Sequence, residues 1–104
     1  MPNEVVVANN PEANRYEARI AGGLAGIAEY QLTDELVVFT HTEVDPAFEG
    51  QGIGGALAKF ALDDVASQGQ RKVLVVCPFI ASWIHRHPEY APLLYGAKAS
   101  NVKD

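Results

Sequence analysis

Tyr16, Ala18 and Ile20 alternate with Arg15, Glu17 and Arg19. This period of two marks "NRYEARI" (Asn14 to Ile20) as a strand with one apolar face. Before it, "EVVVANN" (Glu4 to Asn10) is a β-branched run that ends in turn formers, a short strand. Ala21-Gly22-Gly23 breaks the pattern at a hairpin turn. "LAGIAEYQL" (Leu24 to Leu32) resumes it, with Ala28, Tyr30 and Leu32 on one face. After Thr33-Asp34, "ELVVFTHTEV" (Glu35 to Val44) is the longest strand and stops at Asp45-Pro46, because proline cannot donate to a ladder. Short connections between these strands predict an antiparallel meander.

The period then changes. Ile53, Leu57, Phe60, Ala61 and Val65 recur every three or four residues, the stripe of an amphipathic helix closed by Gly69. "RKVLVVC" (Arg71 to Cys77) is a nearly continuous apolar run, the signature of a buried strand. A second helix is expected from about Phe79 to His87, ended by Pro88, with one further turn in "EYAPLL" and a frayed tail from about residue 95. A strand, a crossover helix and a strand imply that Glu35–Val44 and Arg71–Cys77 are parallel neighbours. The fold class is therefore α/β (α+β): an antiparallel meander, a β-α-β parallel unit and a C-terminal helix in a single domain over residues 1–104.

Composition narrows the function. The 104 residues are 48% hydrophobic and 20% charged, with 13 acidic residues against 8 Lys and Arg, a net charge of −5. No basic run appears, which disfavours a nucleic-acid partner, since phosphate-backbone binding rests on clustered cations. An anionic ligand must be held locally, by backbone N–H groups and a few side chains. Cys77 is the only cysteine, so neither an intrachain disulfide nor a Cys-rich zinc site can form. The start, "MPNEVVVANN", has no signal-peptide pattern, and no apolar run reaches the roughly 20 residues of a membrane span. The expectation is a cytoplasmic protein. No apolar stripe declares an interface, so oligomeric state stays open.

Glycines crowd "PAFEGQGIGGAL" (Pro46 to Leu57), at Gly50, Gly52, Gly54 and Gly55. Read literally, Gly50 to Gly55 satisfies G-x-G-x-x-G, but a dinucleotide loop directly follows the first strand of a βαβ unit. Here a meander precedes it, and the next strand ends at Cys77 rather than near a ribose-binding acid. No Lys-Ser or Lys-Thr follows, so it is not a P-loop. Two readings remain. The glycines form only a tight helix entry, or they let main-chain N–H groups and the helix N-terminus converge on a phosphate.

The second reading is strengthened by a resemblance. Arg/Gln-x-x-Gly-x-Gly/Ala, after a long strand and opening a helix, is the pyrophosphate loop of the GNAT acyltransferase superfamily, and Gly52 and Gly54 take its glycine positions. Glu49 stands where that family carries Arg or Gln. The stretch Phe39 to Leu94 resembles a compact single-domain GNAT subfamily through His41-Thr42 near the end of the long strand, the glycine loop, Cys77-Pro78-Phe79, and Arg86-His87-Pro88-Glu89-Tyr90. The resemblance implies a shortened sheet, acetyl-CoA or coenzyme A as cofactor, and acetyl transfer to a primary amine of unknown identity. It implies cofactor contacts at Val44, Gly50, Gln51, Gly52, Ile53, Gly54, Gly55, Cys77 and Arg86, with the pantetheine arm along splayed strands.

In such a fold His41 and Cys77 are expected to face one cleft. A histidine suits the base that deprotonates an amine, and a cysteine can accept the acyl group or protonate the departing sulfur. Their plainer readings are a satisfied strand histidine and a small buried hydrophobe. Glu43, on the face of His41 by alternation, is either a second base or a surface carboxylate. His85 and His87 do not face each other on a helix, so no metal site is expected. Phe79, Trp83 and Ile84 read as core. The alternative function is a non-catalytic CoA-binding or protein-interaction module.

Overall fold

The computed structural model describes residues 4–96. Five strands form one sheet in sequence order: β1 (Val5–Asn10), β2 (Arg15–Ile20), β3 (Gly23–Leu32), β4 (Leu36–Val44) and β5 (Lys72–Val75). β1 to β4 pair antiparallel, and β4 and β5 pair parallel from Leu36↔Lys72 to Phe39↔Val75. This is the mixed sheet that the meander and the crossover helix predict. Helix α1 (Ile53–Gln68) makes the crossover, and α2 (Pro78–Arg86) leaves the end of β5. The β2–β3 hairpin turns on Ala21 and Gly22, both at positive φ, which matches the twist of the flanking strands. Gly69 ends α1 in the left-handed conformation and returns its N–H to the Val65 carbonyl.

One face of the sheet holds the core. Tyr16, Ala18, Ala28, Tyr30, Val37 and Phe39 meet Ile53, Leu57, Ala61 and Leu62 of α1 and Ile80, Trp83 and Ile84 of α2. The Tyr16 hydroxyl donates to Asp64 Oδ2 at 2.7 Å, tying β2 to α1, and burial together with that carboxylate raises its pKa above the usual phenol range. Leu32, expected beside Tyr30, is instead exposed at the strand's end.

Three details depart from the sequence pattern. β5 stops at Val75, not Cys77, because the N–H groups of Val76 and Cys77 both turn onto the Phe39 carbonyl and Cys77 caps α2. Tyr95, expected to begin a frayed tail, is pinned: its N–H reaches the Val73 carbonyl at 2.8 Å, and Leu94 before it bridges to Val73. The rest of the expected tail, 97–104, lies outside the described residues. Finally, β3 and β4 each carry a bulge. Ala25 is extra opposite β2, between the pairs Ala18↔Gly26 and Arg19↔Leu24. Thr40 is extra opposite β3, between Glu29↔His41 and Tyr30↔Phe39.

Candidate functional site

The Thr40 bulge decides where the candidate chemistry points. An extra residue reverses the alternation that follows it. Val37 and Phe39 face the core, yet beyond Thr40 it is Thr42 and Val44 that turn inward, while His41 and Glu43 turn outward. His41 is 53% exposed, and its Nε2 lies 3.2 Å from Glu43 Oε2, as same-face spacing requires. Cys77 is 3% exposed, and its thiol donates to Thr42 Oγ1 at 3.2 Å. His41 and Cys77 are therefore brought to the same stretch of β4 but to opposite faces of it. Thr42, between them, was not singled out by the sequence, although "HT" contains it.

β4 outruns its neighbour. From Thr40 to Val44 no strand lies on its β5 side among the described residues, because β5 ends opposite Phe39 and the chain veers into α2. The splay leaves a gap with bare backbone on one side and the Cys77–Thr42 contact inside it. An extended ligand with amide groups can hydrogen-bond there as an added strand does.

A short 3₁₀ turn, Pro46–Phe48, leads from β4 into the glycines, with Asp45 Oδ1 accepting the Ala47 N–H at 2.9 Å. The four glycines divide into two kinds. Gly50 (φ 85°) and Gly52 (φ 77°) need left-handed backbone, and a Cβ at either would meet open space. Gly54 lets the two helices approach, since a Cβ there would lie 2.6 Å from Phe79 Cζ, whereas one on Gly55 would make an ordinary contact, 3.5 Å from Trp83 Nε1. Gly52 caps α1, and the first intrahelical bond runs from the Ala56 N–H to the Gly52 carbonyl. The N–H groups of Ile53, Gly54 and Gly55 thus belong to the unpaired first turn, which favours an anion. Gln51 and Glu49 are exposed in the same loop. No Lys or Arg occurs between Arg19 and Lys59, so the loop's own donors are main-chain N–H groups and the Gln51 amide.

This arrangement fits the coenzyme A implied by the resemblance. The first turn and the open side of Gly50–Gly52 suit a diphosphate, and the splay suits an amide-bearing arm. Arg86 ends α2 and bonds Ser82 Oγ at 2.8 Å, two turns along the helix from Phe79, which packs on the loop. His87 stacks on Trp83 with ring centroids 3.9 Å apart and donates Nδ1–H to the Trp83 carbonyl, closing the helix. His41, Thr42, Glu43 and Cys77 remain as the groups able to move or hold a proton beside the gap.

A mixed sheet whose parallel pair, β4 and the edge strand β5, splays beside a glycine-started helix is the arrangement that the resemblance implies. Residues 15–93 match the model of the GCN5-related N-acetyl-transferase family, and the chain belongs to that family. No curated protein matches it. A solution structure of a GCN5-like putative N-acetyltransferase from Staphylococcus aureus is similar with a TM-score of 0.64 and 18% identity, covering 95% of this chain and 94% of that one. The ribosomal-protein-S18-alanine N-acetyltransferase of Escherichia coli is similar with a TM-score of 0.55 and 23% identity, covering 59% of this chain and 39% of its own. The ribosomal-protein-alanine N-acetyltransferase of Brucella melitensis gives 0.56 and 20%, covering 86% and 67%. At such identities the likeness shows a shared fold. This chain spans well under half of the E. coli protein's length.

Proposed function

We propose that this protein transfers an acetyl group from acetyl-CoA directly to a primary amine. The observation that carries the reading is the parting of β4 from β5 at Phe39, which opens bare backbone over Thr40–Val44 above the Cys77–Thr42 contact. Bound there, acetyl-CoA supplies an activated acyl carbon; the chain supplies position and proton transfer. Glu43 can only accept a hydrogen bond, so a neutral His41 paired with it carries its proton on Nε2. Nδ1 is then the lone-pair nitrogen that takes the proton from the attacking amine. As the new C–N bond forms, the thioester C–S bond breaks, and the Cys77 S–H is the donor available to the leaving sulfur. Direct transfer is favoured over an acyl-cysteine because the thiol is buried and its partner is a hydroxyl rather than an activating base.

A second reading, a CoA-binding module without turnover, is favoured by Glu49 in a loop without a nearby Lys or Arg. Melting of the protein with CoA, acetyl-CoA and NAD separates the cases. A ligand at 100 times its Kd adds about 2.7 kcal/mol, and the CoA species alone are expected to stabilise. Turnover with an amine panel then distinguishes enzyme from module. His41→Ala is expected to lower kcat by about 10²-fold or more, and Cys77→Ala to lower it less. If neither substitution slows transfer, both roles are wrong.

A further inference from the structure

The outward face of the sheet has its own cleft. About 580 Å³ opens where β3 begins and β4 ends, within the usual size of a small-molecule site. Leu24 and Ile27 of β3 give it an apolar wall, and Arg15, Glu43 and Asp45 line it with charge. Leu24 is 38% exposed, an apolar side chain facing solvent inside a concavity rather than on a convex surface.

The charges do not balance. Arg15 Nε is held by Glu17 Oε2 at 2.8 Å, and Arg19 binds the other oxygen of the same carboxylate at 3.1 Å. Glu29 lies directly across from both Arg15 and His41, on the same face. Two arginines thus stand against the four carboxylates of Glu17, Glu29, Glu43 and Asp45. Glu43 at the cleft wall has His41 as its side-chain partner and is 68% exposed. A carboxylate is accordingly available beside an apolar wall and a proton-accepting imidazole.

We propose that this cleft is the acceptor site and that it takes a primary amine attached to an apolar body. The ammonium group docks on Glu43 next to His41, and the hydrocarbon lies along Leu24 and Ile27. The reaction assigned to that amine rests on the acetyltransferase reading; the binding does not.

Titration of the full chain with hexylamine, hexanoate and spermidine, without acetyl-CoA and followed by NMR, tests it. Hexylamine is expected to bind saturably, shifting the Leu24 and Ile27 signals, and to weaken about tenfold in Glu43→Gln, the effect of losing one charge-assisted hydrogen bond. Leu24→Ser is expected to weaken hexylamine and leave spermidine unchanged. Both residues are partly exposed, so neither substitution threatens the core. Equal binding of hexanoate, tighter binding of spermidine, no saturable binding, or indifference to both substitutions overturns the proposal. Amines acetylated at rates that both substitutions leave unchanged would overturn it while the reaction stood. Hexylamine bound through Glu43 but never acetylated would sustain it while the proposed reaction fell.

Discussion

The two halves of β4 are continuous in sequence and opposite in surroundings. Val37 to Phe39 is flanked by β3 on one side and β5 on the other, and Phe39 is fully buried. Thr40 to Val44 keeps β3 and loses β5, and its outward side chains, His41 and Glu43, stand in solvent. The first half anchors the sheet. The second presents open backbone and the side chains of His41 and Glu43 on a strand whose position the first half holds. Rigid placement beside an open edge is what a site requires, and here one bulge residue marks the boundary.

Perturbing either half should therefore give different signatures. The largest effect is expected in the closed half: Phe39→Ala removes a side chain at the centre of the core and should cost about 3–5 kcal/mol, read from urea denaturation. Much of the stability of a domain of this size would be lost. Next comes the seat of the open half on β3. A Cβ on Gly26, opposite Val44, would lie 2.8 Å from the Glu43 carbonyl oxygen and 2.9 Å from Ile53 Cγ2. Backbone must move to admit it, so Gly26→Ala should cost about 1–3 kcal/mol and disturb the Glu43 signals.

Within the gap the sign of the contrast reverses. Thr42→Val keeps the shape and removes the acceptor of the Cys77 thiol, so the stability change should be about 1 kcal/mol or less. Turnover should fall further than stability, and Thr42→Ser should restore it. Equal rates in all three proteins would detach Thr42 from the chemistry. The smallest effect belongs to the outward face at acid pH. Hydrogen bonds from Asn10, then Arg15, lower the Glu17 pKa from 4.5 to about 2. A depressed carboxylate stabilises the fold above its unfolded pKa, and that contribution fades as pH falls from about 4.5 towards 2. The urea midpoint of the native protein should drop across that window, and Glu17→Gln should flatten the drop.

Much of this architecture follows from local pattern. Alternation sets β2 against water and core, the three-to-four spacing of Ile53, Leu57, Ala61 and Val65 makes a one-sided helix, and a helix between two strands makes them parallel. The glycine run marks the entry to α1, and "CPF" marks the turn into α2. Faces beyond Thr40 do not follow, because a bulge needs only one residue out of phase and any residue type can supply it. Alternation alone would put His41 with Phe39; the register puts it opposite.

The glycines divide in the same way. Chain chemistry by itself determines that Gly50 and Gly52 can enter left-handed backbone at no steric cost, since that freedom belongs to the residue. That Gly54 leaves room for Phe79 is decided only when α2 folds back beside α1. The meander, the crossover and the capped helix were likewise determined by the sequence, because they depend on neighbours a few residues apart. The opening of β4 and the Cys77–Thr42 contact were decided by the tertiary structure, because each depends on where β5 stops, and the outward His41–Glu43 pair because it depends on the register of β4 against β3.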